Sequence, residues 1–194
     1  MSEQSPLVLV VEDEPDLADL YAAWLSDEYS VLTAYGGQEA LDQIDEADDD
    51  VDAILLDRRM PGLSGDEVLA AVRERGIDCR VAMVTAVEPD FDILKMGFDD
   101  YLVKPVTSDT LRETVDGLLR RGEYDTDVQE LFSLTSKKAI LETEKSATEL
   151  ADNQEYQDLT ERIEELRSKA DNSLEAVTED DDFERLFSEF DVEE

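Results

Sequence analysis

The sequence predicts an α/β domain over residues 1–121, a doubly wound five-stranded parallel sheet, followed by an all-α segment over residues 122–194. Three observations carry this reading. Short β-rich runs alternate with longer stretches of helical periodicity through the first 121 residues. Three of those runs, Leu7 to Val11, Ala53 to Leu56 and Val81 to Val84, are apolar throughout, as strands covered by helices on both faces must be. All eight glycines lie at or before Gly122 and all five prolines at or before Pro105, so the rest of the chain lacks the strongest turn punctuation.

In chain order, strands are expected at Leu7 to Val11, Ser30 to Ala34, Ala53 to Leu56, Val81 to Val84 and Tyr101 to Val103. Helices are expected between them near residues 15–26, 37–46, 65–75 and 89–96, and a last one from about Ser108 to Arg120. Beyond residue 122 two long helices are expected, over 127–150 and 154–176, with Ala151-Asp-Asn153 as the turn. In the second, Tyr156, Leu159, Ile163, Leu166 and Ala170 follow 3-4-3-4 spacing and lay one apolar seam along the helix. Asp158 with Arg162, and Glu165 with Lys169, place an acid four residues ahead of a base. The seam is short and its counterpart in the first helix is weaker, so an antiparallel hairpin and a coiled coil are equally compatible with it. Thr178 followed by Asp181 forms a capping signal ahead of Phe183, Leu186, Phe187 and Phe190, a face that packs on the hairpin or docks a partner.

Composition narrows the function. The 194 residues leave room for one domain and an appendage, which excludes a large multidomain enzyme. Charged residues make up 36%, against roughly 25% in an average globular protein, and the net charge is -36. The bias is spread along the chain, with net -19 over residues 1–121 and net -17 over 122–194. Together with six lysines against eleven arginines, this points to work in a very salty cytoplasm, with stability that falls in dilute buffer. Neither a secretory signal nor an apolar run of membrane-spanning length is present, so a cytoplasmic protein without membrane insertion is expected. The single cysteine, Cys79, lies in an apolar run and is expected to pack in the core. With no histidine in the chain, His-based catalysis and His-ligated zinc are excluded, and any metal must be bound by oxygen.

In an open parallel sheet the loops after the strands converge on one crevice. Glu12 and Asp13 follow the first strand, Asp57 the third, Thr85 the fourth and Lys104 the fifth. Three carboxylates gathered there need a hard divalent cation, and magnesium fits best because it keeps waters and shares its shell with phosphate oxygens. A hydroxyl and one ammonium opposite the acids suit a phosphoryl group, with Asp57 as the nucleophile.

The segments Leu7 to Asp13, Leu55-Leu-Asp-Arg-Arg-Met-Pro-Gly-Leu-Ser-Gly65, Thr85-Ala86 and Gly97-Phe-Asp-Asp-Tyr-Leu-Val-Lys-Pro105 resemble the response regulator receiver domains of two-component signalling. The resemblance covers about residues 5–121 and implies a flavodoxin-like fold. It further implies phosphorylation of Asp57 by a partner sensor histidine kinase, with magnesium held by Glu12, Asp13, Asp57 and the backbone carbonyl of Arg59. Thr85 and Lys104 would bind the phosphoryl oxygens, Lys104-Pro105 would be a cis peptide, and Tyr101 would be the switch aromatic that turns inward as Thr85 moves. The stretch from Thr85 to Gly97 is shorter than the family leads one to expect, so the fourth helix is expected to be short or irregular.

The tail has no recognition helix, turn glycine or basic face of the kind a DNA-binding module needs. A receiver followed by an acidic helical segment resembles the HalX-type response regulators of halophilic archaea, through Leu131-Phe132, Leu134, Lys137-Lys138 and the Leu159 to Leu166 seam. Three readings follow. The first is a phosphorylation-controlled regulator whose tail mediates homodimerisation or partner binding, acting on the transcription machinery. The second binds DNA directly through Lys137, Lys138, Arg162, Arg167 and Lys169. The third, a phosphatase with an aspartate nucleophile, is disfavoured because such enzymes usually carry Asp-x-Asp and position 59 here is Arg.

Overall fold

The computed structural model describes residues 5–47, 50–122 and 126–173. Five parallel strands, β1 (Leu7–Val11), β2 (Ser30–Ala34), β3 (Ala53–Leu56), β4 (Arg80–Thr85) and β5 (Asp100–Val103), form one sheet in the order β2-β1-β3-β4-β5. All five expected strands are present, with β4 longer by one residue at each end and β5 starting one residue earlier. Because successive side chains point to opposite faces, the apolar runs feed two cores. Val8, Val10, Leu55, Ala82 and Val84 pack with Tyr21 and Leu25 of α1 (Pro15–Leu25) and with Leu111, Val115 and Leu118 of α4 (Ser108–Gly122). Leu9, Val11, Ile54, Leu56, Val81 and Met83 pack with Ala40 and Ile44 of α2 (Gly37–Glu46) and Val68 and Val72 of α3 (Gly65–Glu74). Cys79 is 1% exposed in this second core, as expected, and burial pushes its thiol up to about 11.

The helix expected over 89–96 is instead a 3₁₀ helix, Phe91–Lys95, started by Asp90, whose carboxylate accepts from the Phe91 N–H at 2.7 Å. Five residues of 3₁₀ geometry cannot cover the β4–β5 side of the sheet. The tail covers it. Leu141 of α5 (Thr126–Glu144), Leu150 of α6 (Ala147–Ala151) and Tyr156 of α7 (Gln154–Ser173) join the same apolar cluster as Ile54, Met83, Ile93 and Phe98.

The single helix expected over 127–150 is divided into α5 and α6 around Lys145-Ser146. A capping box is the cause: Ser146 Oγ accepts from the Glu149 N–H at 3.4 Å, and Glu149 Oε2 accepts from the Ser146 N–H at 2.9 Å. α5 and α7 run antiparallel, since Glu130 pairs with Arg162 and Glu142 with Tyr156. Tyr156, Leu159, Ile163 and Leu166 are all buried, and the last three pack on Leu131, Leu134 and Leu94. The seam is thus spent inside the chain as a hairpin, not between chains as a coiled coil. The expected pairing of Asp158 with Arg162 is replaced by a two-pronged bond across the hairpin, from Arg162 to both oxygens of Glu130 at 2.8 and 2.9 Å. Lys169 likewise reaches Asp127 on α5, at 3.8 Å. The Thr178–Asp181 cap, the face of Phe183, Leu186, Phe187 and Phe190, and the side chain of Ala170 lie outside the described residues.

Candidate functional site

Strand register builds the site. Val11 is paired with Ala34 and with Leu56, and the Asp57 N–H donates to the Val11 carbonyl at 2.9 Å, which sets Asp57 beside Glu12 at the strand ends. Thr85 is paired with Val103, and the Lys104 N–H donates to the Thr85 carbonyl at 2.8 Å, which brings Lys104 to the same edge. The loop after Asp57 is held by α3. Ser64 caps that helix in a box with Glu67, and Gly65 lies so close beneath β3 that a Cβ there would be 2.0 Å from the Asp57 carbonyl oxygen. Only glycine fits that approach.

One oxygen each from Glu12, Asp13 and Asp57 lies within 4.8 Å of the other two, and among the described residues no other group of three acids comes this close. Glu12 and Asp57 are buried and Asp13 is half-buried. Lys104 Nζ donates to Glu12 Oε2 at 2.5 Å and to Asp57 Oδ2 at 3.0 Å, so one ammonium bridges two of the acids. Burial raises the Glu12 carboxyl above its ordinary value, against the pull of Lys104 and of the Glu14 N–H. Burial works to lower Lys104, but its bonds to Glu12 and Asp57 outweigh it and the ammonium is raised. Three acids, all oxygen donors, with one cation between them fit a small divalent ion that keeps part of its water shell.

Arg59 is exposed, with its N–H on Asp57 Oδ1 at 3.3 Å. Thr85 is buried, and its Oγ1 accepts from the Val87 N–H at 3.3 Å. Tyr101 is also buried, its hydroxyl donating to the Val87 carbonyl at 2.6 Å, and burial raises that hydroxyl. The sequence-derived residues therefore form two linked groups: Glu12, Asp13, Asp57 and Lys104 in direct contact range, and Thr85 and Tyr101 joined through Val87. The Lys104-Pro105 peptide is cis.

Two residues take roles that the sequence reading did not give them. Arg58, next to Asp57, bonds Asp66 at 2.9 Å and also Asp92 of the 3₁₀ helix. No spacing rule links residue 58 to residue 92. Lys137, counted above in a basic surface patch, is instead 5% exposed: its Nζ donates to the Met96 carbonyl at 2.5 Å and sits 5.2 Å from the centre of the Phe98 ring. Lys138 pairs with Glu142 at 2.6 Å and Arg162 with Glu130, so the five cations do not form one free basic face.

The response regulator receiver domain family matches residues 8–116 and the HalX domain family residues 120–187. A Haloferax volcanii protein described as "Putative transcriptional regulator" is 49% identical over 169 residues, which cover 87% of this chain and 28% of that protein. The chain thus spans little more than a quarter of that relative's length. Among solved structures, the response regulator TrrA from Thermotoga maritima, determined with Mg2+ and BeF, is 35% identical with a TM-score of 0.53, over 59% of this chain and 99% of that one. The Vibrio cholerae chemotaxis protein CheY4 is 30% identical with a TM-score of 0.56, over 59% and 99%.

Proposed function

Because the chain belongs to the response regulator receiver family and carries a HalX domain behind the receiver, we propose that it is switched by phosphorylation of Asp57. A partner sensor histidine kinase supplies the phosphoryl group. The observation that carries this is the meeting of Glu12, Asp13 and Asp57 within 4.8 Å, bridged by Lys104.

In this reading an Asp57 carboxylate oxygen attacks phosphorus on a phosphohistidine of the kinase. The phosphorus–nitrogen bond breaks, a phosphorus–oxygen bond forms, and the departing imidazole nitrogen takes up a proton. Glu12, Asp13, Asp57 and the Arg59 carbonyl would hold a magnesium ion, which when bound would supply the positive charge that lets an anion approach three acids. Lys104 exchanges one of its present carboxylate bonds for a phosphoryl oxygen, and the Thr85 hydroxyl donates to another. Tyr101 follows Thr85 through Val87. The protein is a signalling switch rather than an enzyme with a released product, and the HalX segment turns the switch into regulation of transcription or of a partner.

The test is incubation with magnesium and a small acyl phosphate donor, followed by intact mass and peptide mapping. One phosphoryl group per chain on the peptide carrying Asp57, absent in Asp57→Asn and absent when magnesium is chelated, is expected. Equal labelling of Asp57→Asn would overturn the assignment.

A further inference from the structure

We propose that the cleft between the receiver and α5, at the opposite end of the strands from Asp57, binds a small organic polyanion on Arg73, Arg80 and Lys137. The inference is independent of the phosphoacceptor reading.

The cleft has a volume of about 800 Å³. Three stretches line it: the end of α3 with the turn into β4, the approach to β5 at Gly97 and Asp99, and α5 from Thr126 to Lys137. Arg80 opens β4 and Asp99 precedes β5, whereas Thr85 closes β4 and Lys104 follows β5. The cleft and the carboxylate site therefore lie at opposite ends of the sheet.

Positive charge exceeds negative charge in the inner part of the cleft. Asp99 is buried, and its carboxylate accepts from Arg73 at 3.0 Å, from Arg80 at 3.4 Å and from the Val81 N–H at 2.8 Å. The other bonds of Arg73 go to neutral acceptors, the Gly97 and Cys79 carbonyls, both at 2.7 Å. Lys137 bonds the Met96 carbonyl and faces the Phe98 ring, again without a carboxylate. Of the acids nearer the rim, Asp78 pairs with Arg80 but is 85% exposed, and Glu130 is engaged across the hairpin by Arg162. Asp100, beside Asp99, lies 3.9 Å from Arg121. Three cations thus share one buried acid, in a chain whose net charge is -36.

Donors remain as well. A guanidinium has five N–H groups and an ammonium three, and among the described residues Arg73 uses three, Arg80 two and Lys137 one. Arg73 is held in place, since a Cβ at Gly97 would lie 3.0 Å from its Cγ. Such forks match the paired oxygens of carboxylates and phosphates. Thr126 and Ser133 add hydroxyls on the α5 side. The volume is that of a small-molecule site, and far exceeds the roughly 30 Å³ of one water-sized ion. Burial lowers the Lys137 ammonium to about 8, and a bound anion opposes that effect.

Calorimetric titration of the full chain with citrate and, separately, with ribose 5-phosphate tests this, at high potassium chloride and without magnesium, which citrate chelates. At least one anion should bind with millimolar or tighter affinity, citrate reporting a carboxylate site and ribose 5-phosphate a phosphate site. Because the anion favours the charged form of Lys137, binding should take up a proton just above pH 8, seen as a dependence of the heat on the buffer's ionisation enthalpy. Affinity should fall as pH rises beyond about 8. Lys137→Met should abolish the proton uptake and weaken binding about tenfold, the scale of one charge-assisted hydrogen bond, and Arg80→Gln should weaken it by a similar factor. Absence of binding by both anions overturns the proposal. So does binding that both variants leave unchanged.

Discussion

On one side of the sheet Val8, Val10, Leu55 and Val84 are covered by α1 and α4, both drawn from the same α/β segment. On the other side Ile54, Met83, Ile93 and Phe98 are covered partly by α2 and α3 and partly by Leu141, Leu150 and Tyr156 from the tail. The hairpin's own core is small, with Leu131, Leu159, Ile163 and Leu166 as its buried members. The contrast teaches that the boundary expected near residue 121 divides the sequence without dividing the packing. A shortened fourth helix leaves a gap, and the helical segment fills it.

The largest break in that comparison should come from Leu141→Ala. Leu141 is fully buried in the cluster of the sheet, so its truncation should cost about 2–5 kcal/mol. Trp24 packs at the opposite core, in α1, and serves as a remote reporter. Urea unfolding at high salt should shift together in Trp24 fluorescence and in far-ultraviolet helicity. A shift confined to helicity would mean that the hairpin unfolds on its own and the comparison is wrong.

Lys137 sharpens the same boundary through pH. Its ammonium lies between α5 and the start of β5, against the Met96 carbonyl and the Phe98 ring, with Asp99 and Arg73 as the nearest charges. Burial lowers it from 10.5 to about 8, opposed by Asp99 and reinforced by Arg73. Between those values the unfolded chain binds the proton that the folded chain has lost, so stability rises with pH from about 8 to 10.5. The rise should be about 3 kcal/mol. Lys137→Met removes the buried charge, so the variant should be more stable than the parent at pH 7, and the difference should shrink across that window. A constant difference would show that the ammonium is not held in a dry contact.

How much of this is legible in sequence follows from the range of each interaction. Glu12, Asp13, Asp57 and Lys104 are legible because apolar strands end abruptly in charged residues, and parallel strands bring such ends to one edge. The short stretch from Thr85 to Gly97 likewise signals an irregular fourth helix. The break at Ser146 has a local signal in Ser146 and Glu149, which apolar spacing alone passes over. Arg58 with Asp92, and Lys137 in the core, carry no such signal. Their partners lie 34 and 41 residues away and are set by tertiary packing, for Lys137 by how α5 docks on the residues ahead of β5. An exposed cation and a buried one read alike in a helix whose apolar face is weak.

The smallest expected effect tests whether charge or apolar burial holds the hairpin. Arg162 grips Glu130 with two parallel bonds across α5 and α7, and both side chains remain more than a third exposed. The Arg162 guanidinium holds the Glu130 carboxyl below its ordinary value. A carboxyl depressed in the folded state gives stability that is present above its unfolded value and lost as pH falls through the folded one. Glu130→Gln should therefore lower stability slightly at pH 7, less than either core change, and the loss should vanish under acid conditions. It should also shrink as salt rises, because exposed pairs are screened while the burial of Leu159, Ile163 and Leu166 is not. A loss that persists undiminished at high salt would place the ion pair, rather than the seam, in charge of the hairpin.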